Sequence, residues 1–288
     1  MSGGADTVFY DHEGRYASSG DFLTVLADLR GFVFDLDGCV WNGNALNPGA
    51  RETLADLHAA GRRLAFISNN SRATGADLRA RLLELGVTVA EHVLTPLEII
   101  GRVIGDAYGT SRVLVMGADE LARAVARGGH EILDMKRYRE ATVVVVGNDF
   151  DLTYERLTAA ARAAATGAPI VTPNIDPRLP IEGGEFLPGC GAIVQAVAVA
   201  AGTEPVIVGK PRPPLFRMAL ERLGLAPAEA AMVGDSVASD IRGGRAVGMP
   251  TVLYAPGGAA DAGEADVVVA SFTELGARAG LPDPPKKK

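Results

Sequence analysis

The chain has 288 residues, 48% of them hydrophobic and 22% charged, the balance of a globular protein with a sizeable core and room for two domains or one large insertion. A net charge of −7 argues against a nucleic-acid groove or an anionic membrane surface, so no nucleic-acid and no membrane partner is expected. The two cysteines, Cys39 and Cys190, imply no disulfide framework and fit a reducing compartment.

Residues 1–18 read as a loose polar arm without the order of a signal peptide. The longest apolar stretch, 192–202, is about half of what a bilayer requires, so a cytoplasmic protein is expected. A short amphipathic helix is predicted over 19–29, leading into an apolar strand that ends at the acidic turn Asp35-Leu36-Asp37-Gly38. Asn47-Pro48 supplies a cap and first-turn proline for a helix ending near Gly61, and 64–67 is a buried strand. Thr74-x-x-Asp77 predicts a capping box for a helix reaching Gly86, and Thr95-Pro96-x-Glu98 opens another to about residue 107. Further strands are predicted at 113–116, 143–146, 170–171, 206–208, 231–233, 251–254 and 267–269, with helices at 119–127, 153–165, 190–201, 214–223 and 238–247. The strands are short β-branched runs without polar alternation, the mark of parallel strands covered on both faces. The alternation implies an α/β protein with a mainly parallel sheet.

Reactive residues cluster where strands end, which is where ligands bind in open parallel sheets. In extended chain, Asp35 and Asp37 point to one face and can converge on a cation and a phosphate. Ser68, in LAFISNNS, offers a hydroxyl and backbone N–H groups to a phosphate oxygen. Lys210, in VIVGKPRPP, can neutralise a carboxylate and a transferring phosphoryl group. The Gly-Lys pair is no phosphate-binding P-loop, because Pro211 stands where Ser or Thr is needed. Asp235 follows a strand and a glycine, with Asp240 five residues on, and carboxylate oxygens suit Mg²⁺. Singly, these segments read equally well as an acidic turn, a polar loop, a surface lysine and a loop acid.

Together, and in this order, they resemble the four motifs of the haloacid dehalogenase superfamily: FDLDG, the serine of ISNNS, the lysine of GKP and the acids of GDSVASD. The match runs over roughly residues 31–270. The separation of 142 residues between Ser68 and Lys210 requires an inserted domain. Within that insertion, VVVGNDFDLTYERLTAA (143–160) and NIDPRLPIEGGEFLPGCGAIVQAV (174–197) resemble cap segments of subfamily IIA, the branch of para-nitrophenyl, phosphoglycolate, pyridoxal and NagD-like phosphatases. The resemblance implies a Rossmann-like core over 19–109 and 205–280, an inserted α/β cap of type C2 over 110–204 and a tail at 281–288.

It also implies roles. Asp35 becomes the nucleophile that forms an aspartyl-phosphate, and Asp37 the proton shuttle. Mg²⁺ is held by Asp35, the Asp37 backbone carbonyl and Asp235. Ser68, Asn69 and Lys210 hold phosphoryl oxygens, Gly38 and Ser236 lie against substrate, and Asp240 orients Lys210 or the waters of the metal. Cys39 is given no thiol chemistry, and Trp41 packs under the loop. In the cap, Asn174, Asp176 and Arg178 close over a small phosphorylated metabolite, with Arg178 suited to a substrate carboxylate. Pyridoxal phosphatases carry a histidine where this chain has Leu179; the leucine form resembles enzymes acting on phosphoglycolate or glycerol phosphate. Relatives commonly dimerise through the cap, so a homodimer is implied, although no interface pattern is legible. A phosphomutase or other phosphotransferase shares the first chemical step. A receiver-like switch fails on strand placement and lacks a large insert, and a catalytically idle binding module would not need the full set of polar residues.

Overall fold

The computed structural model describes residues 9–10, 16–17, 26–180, 185–258 and 262–282. In chain order, strands β1 (Gly31–Asp35), β2 (Arg63–Ile67), β3 (His92–Leu94), β4 (Arg112–Met116), β5 (Glu131–Leu133), β6 (Val143–Val146), β7 (Ile170–Thr172), β8 (Val206–Ile207), β9 (Ala230–Gly234), β10 (Thr251–Tyr254) and β11 (Val267–Val269) form the parallel sheet structure. Helices α1 (Ala50–Ala59), α2 (Gly75–Glu84), α3 (Pro96–Tyr108), α4 (Asp119–Arg127), α5 (Tyr154–Ala165), α6 (Cys190–Ala201), α7 (Pro213–Leu223), α8 (Arg242–Ala246) and α9 (Phe272–Arg278) alternate with the strands. The fold is α/β with mainly parallel sheet, as the sequence pattern requires. Two compact units divide it: the described residues of Met1–Leu64, Leu85–Val89 and Leu223–Lys288, and those of Ala65–Glu84 and Ala90–Arg222.

In the first unit the strands run β11-β10-β9-β1, all parallel, with Val233 opposite Phe34 and Gly234 opposite Leu253. The start of β2 follows, where Arg63 N–H donates to Arg30 C=O at 2.9 Å. Every residue of β1, β9 and β10 is buried, which explains their unbroken apolar runs. Phe34 stacks on Phe272 of α9 with ring centroids 6.2 Å apart, and Tyr254 meets the same ring at 5.2 Å.

The second unit holds the remainder of β2 paired in parallel with β3, and a five-stranded parallel sheet in the order β8-β7-β6-β4-β5. These five strands fall in sequence between β3 and β9, so the chain carries an inserted α/β module. Helices α5 and α6 pack on it through small side chains, among them Ala160, Ala164, Val194 and Val197, against Leu114, Val144 and Val146.

The predicted capping box at Thr74 forms, and Thr95 opens its helix with a second one. Thr74 N–H donates to Asp77 Oδ2 at 2.9 Å, while Thr95 N–H reaches Glu98 Oε2 at 2.7 Å. The start of α1 differs from expectation. Gly49, with φ 79°, stands at its N-cap without a side-chain bond, because the Asn47 carboxamide donates instead to Gly38 C=O and Cys39 C=O at 3.0 and 2.6 Å. The helix predicted over 238–247 opens as a π-helical turn, Val237–Ile241, before α8. Of the helix predicted over 19–29, Leu26 and Ala27 are helical and residues 19–25 lie outside the described residues. Strands β3 and β5 escaped prediction, each being three residues with a polar first position. Among the described residues, no helix is long and apolar enough to cross a membrane.

Candidate active site

β1 and β9 are neighbours that end at the same edge of the sheet, so Asp35 closes one strand and Asp235 follows the other. The π-helical turn then returns Asp240 to the same place. One carboxylate oxygen from each of Asp35, Asp235 and Asp240 lies within 4.8 Å of the other two. Asp35 and Asp240 are buried and Asp235 is exposed. Ligand oxygens around an octahedral Mg²⁺ at about 2.1 Å sit about 3 to 4.2 Å apart. The donor set therefore suits a hard divalent cation, whose charge would offset the cost of crowding three carboxylates.

Two glycines make this approach feasible. A Cβ on Gly38, whose φ is 89°, would sit 2.1 Å from Asp235 Oδ2, and a Cβ on Gly234 would sit 2.3 Å from Asp240 Oδ2. The Gly38 N–H donates to Trp41 C=O at 2.8 Å, closing the turn. Asp37 is exposed, and its Oδ1 accepts from Trp41 Nε1 at 2.8 Å. Trp41 is 1% exposed and packs under the loop as expected, but it also orients the Asp37 carboxylate. Sequence reasoning missed that bond and the grip of Asn47 on the same turn. Cys39 is buried with its thiol toward Val233 C=O.

Asp240 is fully buried; its Oδ2 accepts from Ser236 N–H at 3.1 Å and its Oδ1 from Ser239 Oγ at 3.3 Å. Its carboxylate thus lies beside those of Asp35 and Asp235. The Ser236 hydroxyl accepts from Ser239 N–H at 3.3 Å and caps the π-helical turn.

In the second unit, Ser68 directly follows β2 and is 1% exposed. Its Oγ accepts from Asn70 N–H at 3.1 Å, and its N–H donates to Leu94 C=O at 3.0 Å. Lys210, after β8, is 4% exposed, a rare state for lysine that demands polar surroundings. The Asn69 carboxamide does not stand open: Oδ1 accepts from Lys210 N–H at 2.7 Å, and Nδ2 donates to Lys210 C=O at 3.1 Å. Asn174 is likewise engaged, donating from Nδ2 to Asn69 C=O at 2.7 Å and accepting Asp176 N–H on Oδ1 at 3.1 Å. Asp176 is exposed, yet partial desolvation of its carboxyl pushes it up against the pull of the Lys210 charge. The exposed Arg178 guanidinium lies 4.3 Å over the Phe186 ring, across the hairpin that pairs Arg178–Pro180 with Phe186–Pro188.

Each unit therefore gathers half of a recognisable chemistry. One holds a carboxylate cluster fit for a cation, the other a buried lysine and serine fit for an anion. The haloacid dehalogenase-like hydrolase family matches residues 32–131, and a second family described as HAD-hydrolase-like matches residues 207–275. Mouse chronophin (Mus musculus) is 34% identical, over 81% of this chain and 83% of its own. Glycerol-3-phosphate phosphatase of Homo sapiens is also 34% identical, over 81% of each chain. Among solved structures, p-nitrophenyl phosphatase from Archaeoglobus fulgidus superposes with a TM-score of 0.77 at 31% identity, covering 88% of this chain and all of that one (100%).

Proposed function

We infer that turnover in this chain runs through Asp35, because the chain belongs to the haloacid dehalogenase-like hydrolases. It is a phosphatase of that family, and its substrates on this reading are phosphate monoesters of small metabolites. The observation that carries the reading is the Asp35, Asp235 and Asp240 cluster at the ends of adjacent parallel strands.

The proposed reaction has two displacements. Asp35 attacks phosphorus and takes the phosphoryl group, splitting one difficult step into two. Asp37, oriented by Trp41, gives its proton to the leaving alkoxide and then takes one from the attacking water. Ser68 and Lys210 hold phosphoryl oxygens, with the lysine charge offsetting that on the transferring group. Asp35, the Asp37 carbonyl and Asp235, with Asp240 beside them, would hold Mg²⁺, whose positive charge would let carboxylate and phosphate approach one another.

The cap, taken as residues 110–204, selects the leaving group. Leu179 in place of a histidine, and a relative named for glycerol-3-phosphate, favour glycerol phosphate, with phosphoglycolate next because Arg178 suits a carboxylate. A panel of glycerol phosphate, phosphoglycolate, pyridoxal phosphate and nucleoside monophosphates, assayed with Mg²⁺ and after chelation, tests both points. Glycerol phosphate or phosphoglycolate is expected to give the highest kcat/KM, with turnover abolished by chelation and restored by Mg²⁺. Undiminished turnover after chelation would overturn the metal role, and preference for pyridoxal phosphate would overturn the substrate assignment.

A further inference from the structure

We propose that Asn69 is a positioning residue for Lys210, gripping the lysine backbone rather than the substrate. The proposal deepens the phosphatase reading and rests on it. The Asn69 carboxamide makes a two-point contact with a single residue, accepting from Lys210 N–H at 2.7 Å and donating to Lys210 C=O at 3.1 Å. A phosphoryl oxygen bound by that amide would compete with these bonds. A carboxylate at position 69 would keep the acceptor but place a second acceptor against Lys210 C=O, and the longer glutamine would overshoot. Only the asparagine amide matches both backbone groups at this spacing.

The grip extends to a third segment. Asn69 C=O accepts from Asn174 Nδ2 at 2.7 Å, and Asn174 is fixed by Asp176 N–H on its Oδ1 and by Thr172 Oγ1 donating to its C=O at 2.9 Å. Gly209, just before the lysine, donates its N–H to Pro173 C=O at 2.8 Å. A Cβ on Gly209 would sit 2.5 Å from Asn69 Oδ1 and 2.6 Å from Pro173 C=O. The turns after β2, β7 and β8 are thus tied together, with the Lys210 backbone at the junction. A lysine side chain has many rotamers, so an anchored Cα narrows where its ammonium can lie. The same tie carries Ser68, one residue before Asn69, and Asp176, whose carboxyl feels the Lys210 charge.

Misplacement by about 1 Å can cost about a hundredfold in rate, and a loosened anchor costs less. Asn69→Ala is expected to lower kcat about thirtyfold with KM within about threefold. Gly209→Ala, which disrupts the same contact from the other side, is expected to act on kcat in the same way. In a Lys210→Met background the further loss from Asn69→Ala should shrink to about threefold or less, since a positioning residue has nothing left to position. Should Asn69→Ala not fold, Asn69→Asp keeps the acceptor, loses the donor to Lys210 C=O and gives the same comparison. An equal loss in both backgrounds, or an effect borne mainly by KM, would overturn the proposal and give Asn69 an independent role. A fully active Lys210→Met would instead overturn the phosphatase reading beneath it.

Discussion

Asp35→Asn is expected to lower kcat for phosphate-ester hydrolysis by about three orders of magnitude, equivalent to about 4 kcal/mol of barrier. The amide oxygen of asparagine is neutral and a poor nucleophile, while the shape of the side chain barely changes. Asp35 is 4% exposed at the end of a fully buried strand, so a near-isosteric replacement leaves the packing of β1 intact. It also removes one negative charge from three oxygens crowded within 4.8 Å, which relieves repulsion in the metal-free protein. The thermal midpoint should therefore hold or rise while activity collapses. Kinetics at saturating Mg²⁺ and a thermal melt on the same preparation check both halves. A fully active variant would remove Asp35 from the chemistry.

Gly38→Ala is expected to be nearly as damaging to activity, for a steric reason. The residue has φ 89°, and its Cβ would lie 2.1 Å from Asp235 Oδ2. The new methyl group must displace a carboxylate assigned to the cation, and such a shift can cost about a hundredfold in rate. The concentration of Mg²⁺ needed for half-maximal activity should rise as well. Gly61→Ala is the control, because Gly61 has φ 81° and nothing within 4 Å of a built Cβ. It carries the same left-handed backbone cost of about 1–2 kcal/mol without the clash. Gly61→Ala should lose stability and keep its kcat; Gly38→Ala should lose both. Equal kinetics in the two variants would show that the Gly38 contact with Asp235 is immaterial.

The strand-end residues were legible because buried parallel strands leave an unbroken apolar run in sequence, and reactive side chains stand out at its end. Asp35 and Asp235 sit in that pattern, and Lys210 follows a short apolar run. Side-chain-to-backbone bonds across long separations leave no such trace. The Asn47 carboxamide looked like a helix cap and instead holds the turn after Asp37. Asn69 and Asn174 read as ligands in the sequence, and nothing there shows that their carboxamides also tie loops 141 and 105 residues apart. A short polar side chain suits all these uses equally, so only the fold distinguishes them. Asp240 joined the carboxylate cluster because a π-helical turn, rather than a regular first turn of helix, follows Asp235. Strands of three residues, such as β3 and β5, carry too little periodicity to be read.

The most direct test of the phosphoryl-Asp35 route is the stereochemical course at phosphorus, followed with a phosphorothioate ester made chiral by two oxygen isotopes and hydrolysed in water carrying the third. Two in-line displacements, first by Asp35 and then by water, predict net retention of configuration. Inversion would mean that water attacks the ester directly, and would contradict the role given to Asp35.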